Sequence, residues 1–179
     1  MQTSKAVQQF PELQGYLRGE LTEAVAKARL APRIPRGHSI FDGHDPFEAP
    51  NFGRNKGSMP KNLDLVVRDD DTGNVVAIYE VKSTTADKSE FNVNGQCGVF
   101  MEQAQSQGIP TYLIVVRMGR AIAPDTLRKG KDSEPELDED VFNYELAYFI
   151  STARVELYPS DAFEMVDRKF SITAAPTLI

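Results

Sequence analysis

The sequence predicts an α/β protein built on a mixed β-sheet. Two short apolar segments, 63–67 and 75–81, are separated by a polar run of turn-forming residues, which is the pattern of a β-hairpin. A helical segment at 95–107 then leads into a nearly continuous apolar segment, 111–116, of the kind found in the buried centre of a sheet. A strand–helix–strand step after a hairpin predicts a mixed sheet.

The segments before the hairpin are a helix and a long irregular stretch. Apolar residues at helical spacing predict a helix over 19–30, which Pro32 ends. The stretch 32–60 is rich in Pro, Gly and His, with isolated apolar residues that allow one short strand. Long loops of this kind are typically functional or mobile.

The helix over 95–107 is expected to carry Val99, Phe100 and Ala104 on one side and to stop at Gly108. The remaining chain predicts a helix over 140–150, a strand over 154–158 and a short helix from about Ser160. We treat 117–179 as a C-terminal α/β extension of the same domain.

Length and composition favour one globular domain. The chain has 179 residues, of which 41% are hydrophobic and 26% charged, so a disordered, collagen-like or coiled-coil protein is a poor fit. No apolar run approaches the ~18 residues of a membrane span, and the N-terminal ten residues contain no signal-like apolar region. The single cysteine, Cys97, excludes an internal disulfide. These features predict a single cytoplasmic domain over 1–179 that has no membrane partner.

The net charge of −6 hides a strong asymmetry along the chain. The segment 24–62 has seven basic and three acidic residues, a balance of +4, and 117–131 has five against one, again +4. Acidic residues then collect at 132–140. Local patches decide what a surface attracts, so the basic segments are candidate nucleic-acid contacts or simply solvated surface.

Three charged residues in the predicted strands indicate a catalytic site. Asp64, Glu80 and Lys82 lie in otherwise apolar segments, where charge is rarely buried unless it is paired or holds a metal ion. Alternation places Glu80 and Lys82 on one face, and the hairpin brings Asp64 to the neighbouring strand. Two carboxylates there would repel each other unless a divalent cation bridges them. Such a set suits metal-assisted hydrolysis of a phosphodiester, with an intrasheet salt bridge as the alternative.

An acidic residue followed two positions later by lysine has little specificity alone. Composition predicts about one such pair by chance, and the chain contains two. The other pair, Asp167 and Lys169, follows no acid-bearing strand, and we expect it at the surface.

The order and spacing of these segments resemble the PD-(D/E)xK nuclease superfamily. The resemblance runs over about 19–116 and includes Asn62-Leu63-Asp64, the run from Ala77 to Ser83, a helix opening at Gln96 and the strand over 111–116. The proline that usually precedes the first aspartate is absent, and Pro60 lies four residues before Asp64.

This resemblance implies a restriction-endonuclease-like α-β-β-β-α-β core and Mg²⁺-dependent cleavage of DNA, with Mn²⁺ as a substitute. It implies that Asp64, Glu80 and the Val81 carbonyl bind the metal, that Lys82 positions the attacking water, and that products carry 5′-phosphates. Many small relatives cut two strands with two active sites, which makes a homodimer plausible.

The resemblance extends with less support to other side chains. Many relatives have a glutamate on the first helix, for which Glu20 and Glu23 are candidates, and we favour Glu23 over a solvent-facing role. Gln96 is placed to reach the site, unless that helix merely has a polar face. Ser83 either binds phosphate or ends its strand. Cys97 is expected to pack in the helix.

The irregular stretch supplies further candidates. The basic residues that we assign to nucleic-acid binding, with Ser83, are Arg33, Arg36, Arg54, Lys56 and Lys61. His38, Asp42 and His44 form an alternative transition-metal site. The leading hypothesis is a Mg²⁺-dependent deoxyribonuclease; the alternatives are a non-cleaving protein of the same fold that binds nucleic acid or a partner, and a metalloenzyme centred on these histidines. Neither the kind of DNA substrate nor the choice between DNA and RNA follows from the sequence.

Overall fold

The computed structural model describes residues 11–42, 63–93, 95–122, 127–129, 135–137 and 139–179. Within these ranges the helices are α1 (Pro11–Leu30), α2 (Gly95–Ser106) and α3 (Glu139–Thr152). The strands are β1 (His38–Asp42), β2 (Leu65–Asp69), β3 (Val75–Thr84), β4 (Glu90–Asn92), β5 (Thr111–Arg117), β6 (Leu127–Lys129), β7 (Pro135–Leu137), β8 (Arg154–Pro159), β9 (Phe163–Val166), β10 (Lys169–Ile172) and β11 (Thr177–Leu178). None of the described helices is long and apolar enough to cross a membrane.

The main sheet has six strands in the order β1-β2-β3-β5-β8-β11. β3 and β5 are parallel, and every other neighbouring pair is antiparallel. Helix α2 connects the parallel pair, as a crossover between parallel strands requires. The predicted mixed α/β sheet is therefore confirmed, together with the hairpin and the strand–helix–strand step.

Helices cover both faces of this sheet. On one face Leu21 and Val25 of α1 and Phe149 of α3 pack with odd-numbered residues of β3 such as Val81. On the other face α2 packs over even-numbered residues of β3 such as Ile78. Because side chains alternate along a strand, Glu80 and Lys82 belong to the α2 face.

The β2–β3 hairpin turns at the predicted polar run. The Asp69 side chain accepts hydrogen bonds from the backbone of Asp71 and Thr72, which fixes the start of the turn. Gly73 follows with φ of +69°, a conformation that glycine adopts without steric strain. Strand β2 begins two residues later than the predicted segment, because Asp64 takes part through its side chain and not through the ladder.

Two predictions for α1 and α2 need correction. α1 begins at Pro11 and not near residue 19, and proline suits the first turn of a helix. On α2, Val99 is half exposed, whereas Cys97, Met101 and Ala104 are buried. Phe100 and Ala104 pack towards the sheet as predicted, whereas Val99 does not.

The short helix predicted from Ser160 is wrong. This segment forms the hairpin β9–β10, which joins β4 in a three-stranded sheet. Asp167 and Arg168 both have positive φ, at 50° and 61°, as the two central residues of a tight type I′ hairpin turn require. Phe163 and Phe170 from its two strands pack edge to face at 5.4 Å between ring centroids, and this burial favours strands over a helix. Lys169 and Asp167 lie at the surface, as predicted.

The irregular stretch contains one described strand, β1, which forms the edge of the main sheet beside β2. At the other edge, β11 pairs with β8. The predicted helix over 140–150 and strand over 154–158 are confirmed as α3 and β8, and β8 pairs along the length of β5.

Candidate active site

Asp64 lies where β2 and β3 stop pairing through their backbones. The ladder pairs Leu65 with Tyr79, so Asp64 and Glu80 are the next opposing positions. The Val81 backbone N–H donates to Asp64 Oδ2 at 2.6 Å. The Asp64 side chain thus accepts the hydrogen bond that a backbone carbonyl of the neighbouring strand would otherwise accept. This contact holds the Asp64 carboxylate in the sheet, next to Glu80.

Glu80 is a buried carboxylate whose two oxygens each accept a hydrogen bond. Its residue surface is only 4% exposed. Lys82 Nζ donates to Oε1 at 2.6 Å, and Cys97 Sγ on α2 donates to Oε2 at 3.0 Å. A buried charge is tolerated only when it is paired and hydrogen-bonded, and these two donors meet that requirement. The intrasheet ion pair raised as an alternative is therefore present.

Burial and like charge oppose ionisation of Glu80. Desolvation and the neighbouring Asp64 carboxylate raise its pKa from 4.5 to about 7, although Lys82 and Cys97 act in the opposite direction. Burial lowers the pKa of Lys82, but the charge and hydrogen bond of Glu80 outweigh it, and the pKa is raised above its ordinary value. Lys82 therefore carries a positive charge at neutral pH.

Glu23 on α1 belongs to the same electrostatic cluster. Burial, followed by the charges of Asp64, Glu20, Asp42 and Glu80, raises its pKa from 4.5 to about 8. Of the two glutamates considered for the first helix, Glu23 is thus the one whose pKa is raised by the charges of both Asp64 and Glu80. Acidic groups of α1, β2 and β3 converge here and disfavour each other's charged forms.

An open cleft of about 320 Å³ adjoins Glu23. Its described lining consists of Glu20, Glu23, Ala24, Lys27 and Asp42. Lys27 Nζ donates to Asp42 Oδ1 at 3.1 Å, so one of the acids is already paired with a cation. The cleft offers solvent access to the acidic cluster from the α1 side.

The carboxylates are not arranged as a ready-made metal site. No three Cys, His, Asp or Glu side chains in the described part of the chain lie close enough together to hold one ion. Glu80 directs its oxygens to Lys82 and Cys97, and Asp64 directs Oδ2 to the Val81 N–H. Metal binding at these residues would require them to exchange those hydrogen bonds.

The two described residues of the alternative transition-metal site, His38 and Asp42, do not lie close together. His38 and Asp42 lie at opposite ends of β1, four residues or about 13 Å apart at the usual rise of a strand. Asp42 pairs with Lys27, and His38 Nε2 lies 4.0 Å from Asp69 Oδ2. One ion cannot bind both side chains. His44 lies outside the described residues.

The predicted nucleic-acid contacts are dispersed. Arg33 Nη2 donates to the Leu178 carbonyl at 3.1 Å, and Arg36 is exposed beside β1. Ser83 Oγ accepts a hydrogen bond from Arg18 Nε at 3.0 Å. The other assigned residues, Arg54, Lys56 and Lys61, lie outside the described residues, as does the side chain of Gln96, whose backbone opens α2.

Sequence reasoning missed two participants, Cys97 and Arg18. Cys97 packs in α2 as expected, but its thiol also contacts Glu80, and burial followed by the Glu80 charge raises its pKa. Its position next to Gln96 was the only available signal. Arg18 precedes the predicted start of the first helix and belongs to no motif, so nothing in the sequence marked it.

Comparison with protein-family models, with curated proteins and with solved structures finds no match to this chain.

Proposed function

We propose that this chain is a divalent-metal-dependent nuclease with a restriction-endonuclease-like core that hydrolyses DNA phosphodiester bonds. The observation that carries the proposal is the Glu80–Lys82 pair, whose carboxylate is buried and whose ammonium is partly exposed, on a central strand beside the Asp64 carboxylate. Burying the carboxylate of an ion pair is seldom the most stable solution for a sheet, so its presence here favours a chemical role.

The order of elements supports the restriction-endonuclease-like core. Helix α1 is followed by the antiparallel β1, β2 and β3, then by α2 and the parallel β5. This is the α-β-β-β-α-β order that the resemblance implies, with the short β4 inserted before α2. Asp64 immediately precedes β2, and Glu80 and Lys82 lie in β3, which is compatible with the motif.

The chemistry of the donor set fits a hard divalent cation. Carboxylate and carbonyl oxygens are the ligands that Mg²⁺ prefers, and Asp64, Glu80, Glu23 and the Val81 carbonyl would supply them. Burial, followed by the neighbouring carboxylates, raises the pKa values of Glu23 and Glu80, and a bound cation would favour their charged forms. When bound, Mg²⁺ lowers the pKa of water and stabilises charge that develops on phosphate.

Lys82 acts in this proposal through its charge and not as a general base. Its raised pKa keeps the ammonium protonated near neutral pH, and a protonated amine cannot accept the proton of the attacking water. It can orient that water by hydrogen bonding and stabilise the phosphoryl oxygens as they gain negative charge. In the absence of the metal, Glu80 holds the ammonium in place through the 2.6 Å hydrogen bond.

A second candidate is a protein of the same fold that binds nucleic acid without cutting it. The observation that favours it is that both carboxylate oxygens of Glu80 already accept hydrogen bonds from protein side chains. Calorimetry with Mg²⁺ or Mn²⁺ distinguishes the two candidates, because only the nuclease needs to bind the ion at Asp64 and Glu80.

The test is cleavage of linear, circular, branched and single-stranded DNA in Mg²⁺, with EDTA as the blank. Lys82→Ala is expected to lower the rate by about 10²-fold or more, because it removes transition-state charge stabilisation. Lys169→Ala is the matched control, since Lys169 stands in the chain's other acid-x-lysine pair and is exposed. An active Lys82→Ala protein, or an inactive wild type, contradicts the proposal.

A further inference from the structure

Arg18 lies on α1, the helix that also carries Glu23. It lies on the sheet-facing side of α1, close to the end of β3, and its Nε donates to Ser83 Oγ at 3.0 Å. Ser83 follows Lys82 in β3, so its side chain faces α1, whereas that of Lys82 faces α2. Arg18 precedes Glu23 by five residues, which is about 7.5 Å along a helix. The guanidinium therefore lies on the α1 face of the sheet, on the helix that carries Glu23 and over the carboxyl-terminal part of β3.

The hydrogen bond to Ser83 leaves the outer edge of the guanidinium available. In the described part of the chain, Nη1 and Nη2 of Arg18 have no hydrogen-bond partner, and neither nitrogen is a buried unsatisfied atom. Arginine binds phosphate most strongly through two parallel N–H donors, and these two nitrogens are such a pair. The bond from Nε restricts rotation of the side chain, so less freedom is lost when an anion binds.

The described cations nearest the carboxylates are already paired. The ionised carboxylates repel a phosphodiester, although burial keeps part of Glu23 and Glu80 protonated near neutral pH, and the positive charge of Lys82 is engaged by Glu80 at 2.6 Å. Lys27, the other cation at the cleft, is paired with Asp42. Arg18 is the one described cation here whose only hydrogen bond is to a neutral hydroxyl group.

We infer that Arg18, oriented by Ser83, binds a backbone phosphate of the nucleic-acid substrate beside the carboxylate site. This inference rests on the proposed nuclease function and deepens it, because it names the group that binds the substrate. It also changes the role expected of Ser83, which positions the guanidinium instead of contacting phosphate itself.

The test measures equilibrium binding of a fluorescein-labelled DNA duplex in EDTA, as a function of salt, by anisotropy. Arg18→Gln is expected to weaken binding roughly tenfold near 0.1 M salt, because one charge-assisted contact is lost. The slope of log affinity against log salt should become less steep by about 0.9, the value for one phosphate contact. Ser83→Ala should weaken binding less and leave the slope unchanged, since the charge is retained.

Arg168→Gln is the matched control, because it removes the same charge from an exposed hairpin turn and keeps the backbone contact of Arg168 with Val93. Its affinity and slope should equal those of the wild type. Thermal unfolding of each variant identifies any loss of folding, and Arg18→Lys, which retains the charge, should keep the wild-type slope. The inference is overturned if Arg18→Gln and Arg168→Gln behave alike, or if the wild type does not bind the duplex.

The binding assay tests the phosphate contact and the cleavage assay tests the nuclease function, so either hypothesis can be refuted without the other. If Arg18→Gln alters the salt slope but the wild type does not cleave DNA in Mg²⁺, the phosphate contact stands and the nuclease function is wrong. If the wild type cleaves and Arg18→Gln binds normally, the nuclease function stands and the contact is wrong.

Discussion

Replacing Glu80 with glutamine should change how stability depends on pH, and the structure gives the size of the effect. In the folded chain, burial and Asp64 raise the pKa of Glu80 from 4.5 to about 7. Between these two values the folded state holds a proton that the unfolded state has lost, so stability falls as pH rises. The fall begins near pH 4.5 and is complete above pH 7.

The full difference between the two pKa values corresponds to roughly 3 kcal/mol, since one pKa unit is about 1.4 kcal/mol. Part of it is already lost at pH 5, so the change from pH 5 to pH 8 is about 2–3 kcal/mol. Glu80→Gln removes this contribution. The free energy of unfolding of the variant, relative to the wild type, should therefore rise by about 2–3 kcal/mol over that interval.

Urea unfolding in EDTA at pH 5 and pH 8 measures this difference. Circular dichroism is the suitable signal, because the chain has no tryptophan. Comparing the two pH values cancels any constant effect of the amide on packing. The same pair of measurements in a Lys82→Met background should give a larger difference, because Lys82 lowers the pKa of Glu80. An unchanged difference between pH 5 and pH 8 would refute the assignment of Glu80 as a carboxyl group with a raised pKa.

Two further predictions concern the metal and the β9–β10 turn. At pH 8, Mg²⁺ at about 100 times its Kd should stabilise the wild type by roughly 2.7 kcal/mol, which would be measured as a higher unfolding midpoint. The stability of Asp64→Asn should not change when Mg²⁺ is added. Equal stabilisation of both proteins would show that the ion binds elsewhere. The double variant Asp167→Asn, Arg168→Gly should raise the free energy of unfolding by about 1 kcal/mol, because Asn and Gly adopt positive φ more readily. A lower stability in urea unfolding would show that the native side chains stabilise the turn by more than their backbone strain destabilises it.

The central part of the fold was predictable because its sequence pattern is local. The apolar runs of β3 and β5 and the polar turn before Val75 each specify their structure within a few residues. The hairpin β9–β10 was not predictable, because its turn has Asp167 and Arg168 where Asn-Gly is typical. β1 was hidden because an edge strand with a partly exposed residue at most positions has no clear alternation.

The candidate site divides in the same way. Asp64, Glu80 and Lys82 stood out because charge interrupts an apolar strand, and the register of one hairpin brings them together. The Cys97–Glu80 and Arg18–Ser83 contacts depend on how α2 and α1 pack against β3. Those contacts join residues 17 and 65 positions apart in the chain, and no local pattern encodes them.

The position of β8 in the main sheet bears on how this chain can be shortened. β8 pairs with β5 from Tyr112 to Arg117, and β11 pairs with β8 in turn. A fragment cut after residue 122 would retain all three motif residues yet leave the most apolar strand of the protein with a bare hydrogen-bonding edge, which invites self-association. The motif-bearing segment therefore depends on the C-terminal third of the chain, which covers this edge of β5.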